Sequence, residues 1–433
     1  LDGDLDLVYS GTDQNNGPTG GVRVNTILDP KLTTNNYGNG NFNNGYTYNL
    51  NTYNNDCQCN LGLAMKQSRF DIGDIDGDGD LDIVEIGLAR KSSGQSFTDN
   101  PQLIIIRNQT IETKNAKFGN YFSYGSIYNI SASILDSIYS GDVKLVDFNN
   151  DGLSDFIYLG SQFIYSVGPT GIYQNKKNKF EKVSITGIEG LTGLKNIEVK
   201  CVDINADGLV DIVIAGEDPN NFSSTPTFKV YQNQNNFTFT DVTAKFSIPQ
   251  TLRTPKLEFS DFDNDGYLDM IYGGTQANGT GTVNIYKISK DTTIKTVPNY
   301  TFKVTTLPNN LAQLISANDP QNIQFAFGDL NKDKTFDLIT TYEGAGFARF
   351  TDIYTNVFDS ATKSNVFSKF TGFTLPKIKN GKIELVDFNN DGLLDVSITG
   401  YATGIGEIFN VYQNGYTKDK GLNFVNVTTS GLQ

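Results

Sequence analysis

An all-β fold, a seven-bladed β-propeller with a calcium loop in each blade, is what this sequence predicts. Three observations lead there. An aspartate-rich loop recurs along the whole chain, short apolar runs suited to strands flank each copy, and no segment keeps a helical period. With 433 residues and 38% hydrophobic side chains there is ample material for a large core. Length alone would suggest two or three domains, but repetition overrides that, and residues 1–433 are expected to form a single domain of seven units of about 60 residues.

The clearest loop, Asp74-Ile75-Asp76-Gly77-Asp78-Gly79-Asp80-Leu81-Asp82, reads D-x-D-x-D-G-x-x-D, with Asp74, Asp76, Asp78 and Asp82 as candidate ligands. It recurs as Asp147, Asn149, Asp151 and Asp155; as Asp203, Asn205, Asp207 and Asp211; and as Asp261, Asp263, Asp265 and Asp269. Two further copies are Asp329, Asn331, Asp333, Asp337 and Asp387, Asn389, Asp391, Asp395. A seventh copy is cut by the start of the chain and keeps Asp2, Gly3 and Asp6. Alternate oxygen side chains bent around a glycine suit a hard cation such as Ca2+. An EF-hand is excluded, because no glutamate stands at position 12 and a strand rather than a helix follows.

Before the loops the sequence alternates, as in Lys256-Leu257-Glu258-Phe259 and Lys382-Ile383-Glu384-Leu385, the pattern of a strand with one buried face. After them come apolar runs such as Leu209-Val210-Asp211-Ile212-Val213-Ile214, whose β-branched content favours a buried strand. A third element is Ile172-Tyr173-Gln174-Asn175, repeated as Val230-Tyr231-Gln232-Asn233, Ile353-Tyr354-Thr355-Asn356 and Val411-Tyr412-Gln413-Asn414. A fourth, as in Phe239-Thr240-Asp241-Val242-Thr243 and Phe424-Val425-Asn426-Val427-Thr428, closes several units. Four strands per unit, with 43 glycines for turns, is a propeller pattern.

Composition removes whole classes of function. A net charge of −14 opposes nucleic-acid binding, which wants a basic surface. About half of the 48 acidic residues lie in the loops, and seven divalent cations would cancel the formal charge, so the acidity reads as a metal signature. The absence of histidine removes Ser-His-Asp and Cys-His catalysis, imidazole zinc sites and histidine pH switching. No run approaches the ~20 apolar residues of a membrane span, so no direct membrane insertion is expected. Of three cysteines, Cys201 reads as a small buried residue of a strand; Cys57 and Cys59 flank Gln58 in a polar loop, where a bridge would close a very short ring. Paired carboxylates abound, but those in the loops are committed to metal and are not free acids or bases.

The units resemble FG-GAP or VCBS repeats, the calcium-loop blades of integrin-α-type propellers and of many large bacterial surface proteins. The resemblance runs through Asp-x-Asp/Asn-x-Asp-Gly-x-x-Asp, the strand that follows, the Tyr-Gln-Asn strand and the Phe-x-Asp-Val-Thr ending, and covers essentially the whole chain. It implies one structural Ca2+ between two strands of each blade, about six to seven ions in all. Low-charge calcium loops suit the millimolar levels found outside cells, so an extracellular or cell-surface location is expected.

Two departures stand out. Lys334 takes the glycine position of the sixth copy, where positive φ is wanted, so a weaker site or one held by neighbouring blades is expected there. The first copy lacks its opening ligands; the chain is expected to be a segment of something longer, its first blade completed by upstream residues or by the stretch Phe424–Val427.

Function is expected to be an adhesive, ligand-binding or structural module of a surface or filament-forming protein, with glycans, extracellular proteins or copies of itself as partners. The alternative is a polysaccharide-acting lyase, for which no free base stands out. The irregular stretch Thr33–Asn60, rich in Tyr, Asn and Gly, is a candidate binding loop, and a second insertion is expected between Ser92 and Pro101. Arg69, Arg253, Arg349 and Glu343 lie near strand ends and could line a face. Sequons occur at Asn108, Asn129, Asn221, Asn236, Asn278, Asn299 and Asn426, as many as composition alone would give, and Asp136-Ser137-Ile138 and Asp359-Ser360-Ala361 resemble a bacterial O-glycosylation pattern.

Overall fold

The structure is a computed structural model. It describes residues 7–9, 26–28, 47–49, 65–107, 123–124, 140–188, 194–217, 226–290, 302–306, 315, 320–359 and 364–427, less isolated positions within them that include Asp78 and Asp80. The described chain is all-β. Its only helical elements longer than one residue are two 3-10 turns, Thr243–Phe246 and Ala345–Phe347, and no helix is long and apolar enough to cross a membrane.

Strands follow one another in space as they do in sequence, each pairing antiparallel with the next. Sheet 1 has three short strands, Leu7–Tyr9, Thr26–Leu28 and Thr47–Asn49. Sheet 2 is Met65–Gly73, Asp82–Ser93, Ser96–Arg107 and Ser123–Tyr124; sheet 3 is Ser140–Val146, Asp155–Phe163, Ser166–Asn175 and Phe180–Lys182. Sheet 4 is Lys195–Val202, Asp211–Glu217, Pro226–Asn233 and Phe239–Asp241; sheet 5 is Arg253–Ser260, Asp269–Thr275, Gly281–Lys290 and Phe302–Thr306. Sheet 6 is Gln321–Gly328, Asp337–Glu343, Arg349–Asp359 and Ser364–Phe370; sheet 7 is Ile378–Val386, Asp395–Ala402, Gly406–Asn414 and Phe424–Asn426.

Seven four-stranded units were expected; among the described residues six complete four-stranded sheets are present, and the first sheet has three strands. The stretch proposed to complete it is engaged elsewhere: Phe424–Asn426 is the fourth strand of sheet 7, with Tyr412 opposite Asn426. The insertion expected between Ser92 and Pro101 is instead a long hairpin, in which Ser93 pairs with Ser96 and the ladder continues through Leu88 opposite Pro101. Of the Thr33–Asn60 stretch only Thr47–Asn49 is described; its aromatic side chains, Cys57 and Cys59 lie outside the described residues.

The described residues divide into two compact units, sheets 1–4 without Asp203–Asp207, and sheets 5–7 with that segment. Within each unit consecutive sheets meet through their first strands. Met65–Gly73 packs on Ser140–Val146 and that on Lys195–Val202; Arg253–Ser260 packs on Gln321–Gly328 and that on Ile378–Val386. The core accordingly lies between sheets. Ile75, Val84 and Ile86 of sheet 2 meet Val143, Phe156 and Tyr173 of sheet 3. The other face of sheet 3 gives Phe148, Ile157 and Ile172 to a cluster with Val199, Ile212 and Phe239. In the second unit Ile271 and Val283 meet Phe325 and Leu338, while Ile339 and Ile353 meet Ile383 and Val396.

A strand covered on both faces reads as a nearly continuous apolar run, and the middle of the second strands does so. Asp211–Glu217 is buried throughout, whereas Arg253–Ser260 alternates and the fourth strands Phe239–Asp241 and Phe424–Asn426 bury only their leading phenylalanine. Cys201 packs half-buried against the sheet 3–sheet 4 core as a free thiol whose pKa burial pushes up.

Five first strands share a bulge near their start, at Lys66/Arg69, Lys195/Glu198, Arg253/Lys256, Gln321/Gln324 and Lys379/Lys382. The last four hold a residue at positive φ: Asn196 (48°), Thr254 (43°), Asn322 (50°) and Asn380 (50°). Asparagine tolerates this region; a β-branched threonine does not. Thr254→Asn is therefore expected to stabilise the protein by about 1 kcal/mol, read as a raised denaturation midpoint at unchanged m-value; a lower midpoint would contradict the strain.

Candidate metal centres

Each aspartate loop joins the first and second strands of its sheet and is built by its own side chains. The first aspartate accepts the backbone N–H groups that fold the loop back. Asp147 Oδ1 and Oδ2 take Asp151 N (3.1 Å) and Gly152 N (2.8 Å), and Asp261 and Asp387 take the equivalent pairs. Asp74 is bound by Gly77 N and Gly79 N. The fifth aspartate turns the chain back into the sheet through Oδ1, which accepts Leu153 N at Asp151 and Leu393 N at Asp391. In five of the six described loops two residues sit at positive φ, for example Asn150 (55°) with Gly152 (84°). Lys334, at the glycine position of the sixth loop, adopts φ 71° and still donates its N–H to Asp329 Oδ2 at 2.9 Å, so that loop closes as the others do.

The ninth-position aspartates are fully buried at the base of the loop. Asp155 accepts Phe148 N on Oδ2 (3.1 Å) and Asn175 N on Oδ1 (2.8 Å). The same two bonds recur at Asp337, from Leu330 and Asn356, and at Asp395, from Phe388 and Asn414. At Asp269 the third-strand donor is Ile288 N, 2.9 Å away. One carboxylate thus ties the second loop residue, the second strand and the third strand together.

Sequence reasoning passed over two further residues of this machinery. The second loop residue is always apolar and buried: Ile75, Phe148, Ile204, Phe262, Leu330 and Phe388. Its carbonyl receives the asparagine of the next sheet's third strand. Asn175 Nδ2 donates to Ile75 O (2.5 Å), Asn233 Nδ2 to Phe148 O (2.9 Å) and Asn414 Nδ2 to Leu330 O (2.8 Å), each also bonding a carbonyl of its own loop. The recurrent Tyr-x-Asn ending was the available signal, since an amide with no partner is out of place in a buried strand.

Asp74, Asp76 and Asp82 each bring a carboxylate oxygen within 4.8 Å of the others, as do Asp261, Asp263 and Asp265. The third-position oxygens that are buried without a hydrogen-bond partner include Asn205 Oδ1 and Asp263 Oδ1. A buried acceptor left without a donor costs about 1–3 kcal/mol, and a cation is the species that would satisfy it. The donor set therefore fits an oxygen-ligated metal ion. Asp2, Asp6 and Asp78 lie outside the described residues.

The FG-GAP-like repeat matches residues 147–214 and 203–272. The chain carries FG-GAP-like repeats. The two matches span sheets 3 and 4 and run into the second strand of sheet 5, taking in the loops at Asp147, Asp203 and Asp261. No curated protein matches the sequence. Among solved structures the chain is similar to AofleA from Arthrobotrys oligospora, at 9% identity over 84% of this chain and 88% of that one, with a TM-score of 0.37. It is also similar to the Aleuria aurantia lectin in complex with α-methyl-L-fucoside (9%, 86% and 99%, 0.35) and to an α-L-arabinofuranosidase from Fusarium graminearum (12%, 84% and 93%, 0.38).

Burial raises the ninth-position carboxyls of the aspartate loops, more than their backbone hydrogen bonds lower them, and neighbouring loop carboxylates add to the rise. Asp155, Asp269 and Asp337 reach about 7 and Asp395 about 6, from an ordinary 3.8. A folded carboxyl pKa above the unfolded one means the native state holds protons that the unfolded chain has released. That contribution to stability is complete below pH 3.8 and is lost as pH rises, fully above about 7. In chelator, the melting temperature is expected to fall between pH 5 and pH 7.5; a rise over that interval would contradict it. Asn414→Ala removes the amide donor from the buried Leu330 carbonyl and the part-buried Leu394 carbonyl and should cost about 2–3 kcal/mol by chemical denaturation, against nothing measurable for the exposed Asp419→Asn.

Proposed function

We propose that the repeats are blades of a calcium-stabilised β-propeller that works outside the cell as a glycan-binding, adhesive module. Ca2+ would be held by the first, third and fifth side chains of each loop, with the buried ninth aspartate behind them. Its part is structural: it neutralises carboxylates that otherwise repel and fixes the turn between first and second strands. The loops join strands of the same sheet, which suits stapling better than regulation.

The observation that carries the binding role is Phe347. It is 88% exposed and stands at φ 62° in the hairpin joining the second and third strands of sheet 6, at the opposite end of the second strand from the aspartate loop. Strain of this kind in a bulky exposed aromatic is stored where a surface does work. Its neighbour in sheet 7 is the hairpin bearing Ile405, 70% exposed, and the two are joined by Arg349 Nη1 donating to Thr403 Oγ1 at 2.8 Å. Arg349 and Lys379 each lie 5.4 Å from the centre of the Tyr401 ring, and Lys377 lies over Phe350. Glu343, at the base of the first hairpin, is bound by Asn322 (2.8 Å). An exposed ring at Phe347, with three cations held on aromatic rings of the same two sheets, suits an acidic sugar on a chain of net charge −14: an aromatic ring would pack on its C–H face and the cations would take its carboxylate.

Two measurements test the two halves. Removing the ion with EGTA should lower the melting temperature sharply at pH 7.5, and an unchanged curve would remove calcium from the proposal. On a panel of neutral and acidic glycans, calcium-dependent retention should favour the acidic members and weaken at least ~10-fold in Phe347→Ala. No retention anywhere would leave a purely architectural module, and new unsaturated ends in the bound polymer would establish the lyase alternative.

A further inference from the structure

The third position of the loop is not uniform, and its variation is matched elsewhere in the sheet. It is asparagine in four described loops, Asn149, Asn205, Asn331 and Asn389, and aspartate in two, Asp76 and Asp263. The ladders align all six sheets. The residue after the ninth aspartate pairs with Tyr173, Tyr231, Tyr286, Tyr354 and Tyr412, and with Ile106 in sheet 2. One step further along, the asparagine loops have Gln174, Gln232, Thr355 and Gln413, all neutral. The two aspartate loops have Arg107 and Lys287 at that position.

Hydrogen bonding shows why a cation belongs there. In three of the four asparagine loops the third-position amide donates to the outer oxygen of the fifth-position aspartate: Asn149 Nδ2 to Asp151 Oδ2 at 2.9 Å, and Asn205 to Asp207 and Asn389 to Asp391 at 2.8 Å. An aspartate has no N–H to give, so Asp263 and Asp265 would face each other as bare carboxylates. Lys287 Nζ supplies the missing donor. It bonds Asp263 Oδ2 and Asp265 Oδ2, the second at 2.7 Å, with its side chain largely withdrawn from solvent. The neutral counterpart reaches the same place, since Gln174 Nε2 lies 3.4 Å from Asp151 Oδ2.

We propose that Lys287 is the intrinsic counter-ion of the fifth loop, paired with Asp263 so that an Asp–Lys couple does what asparagine alone does in the other loops. The charge follows the same logic. Four carboxylates and one ammonium give this loop the net −3 of three aspartates and an asparagine. Its consequence is a loop held closed at its third and fifth positions by a covalently attached cation, whether or not calcium occupies the others. This goes beyond the calcium reading and is tested separately from it.

The experiment is a double-mutant cycle in EGTA with Lys287→Gln, Asp263→Asn and both together, followed by melting temperature. Lys287→Gln alone should lower it by several degrees, and adding Asp263→Asn, which recreates the composition of the third loop, should recover most of the loss. Additive effects, with no recovery in the double variant, would overturn the pairing. In excess Ca2+ the Lys287→Gln variant, now carrying an uncompensated fourth carboxylate, should gain more thermal stabilisation than the wild-type chain does. An equal gain would overturn the charge-balancing role, and no gain in either chain would sink the calcium reading while leaving the EGTA cycle to decide on Lys287.

Discussion

Everything in these repeats depends on one buried carboxylate. The ninth loop residue gives one oxygen to the N–H of the second loop residue and the other to the N–H at the end of the third strand. Burying an ionisable group is costly unless it is fully hydrogen-bonded, and here the bonds come from backbone that would otherwise have no partner at the end of a sheet. The position is therefore fixed from both sides. Without the carboxylate two N–H groups lose their acceptor; without the closed loop the carboxylate loses its donors.

That bond also explains how one sheet is joined to the next. The second loop residue uses its N–H on the ninth aspartate of its own sheet, its carbonyl on the asparagine of the following sheet, and its side chain in the core between them. Phe148 does all three at once. Local loop closure and packing between sheets are thus the same event. A chain built this way gains little from one repeat alone, because the asparagine that caps the loops at Ile75, Phe148 and Leu330 belongs to the next sheet.

Much of this was legible in the sequence. Period-two alternation before the loops, continuous apolar runs after them and the Tyr-x-Asn ending located the first three strands of most sheets, because strand burial leaves a direct trace in side-chain polarity. What escaped was relational. The bulge at Thr254 has no sequence mark except comparison with Asn196, Asn322 and Asn380. The long hairpin across Ser93 and Ser96 read as an insertion because Ser, Gly and Asn are turn residues wherever they occur. The first unit was counted as a blade from its half-motif, although a loop fragment says nothing about how many strands follow it.

The aspartates were read at sequence level as a uniform set of ligands, and the structure separates them into different physical roles. First and fifth positions spend oxygens on loop backbone, the ninth is a buried anchor, and among the described loop residues it is the third that leaves buried acceptors unanswered, as at Asn205 and Asp263. A metal ion therefore has most to offer where the protein offers least. This is also where the repeats have been free to vary. An asparagine there brings its own donor, whereas an aspartate must borrow one from the third strand, as Asp263 does from Lys287. The third position and its partner across the loop are where the charge offered to a cation differs between repeats while the hydrogen-bonded frame beneath stays the same.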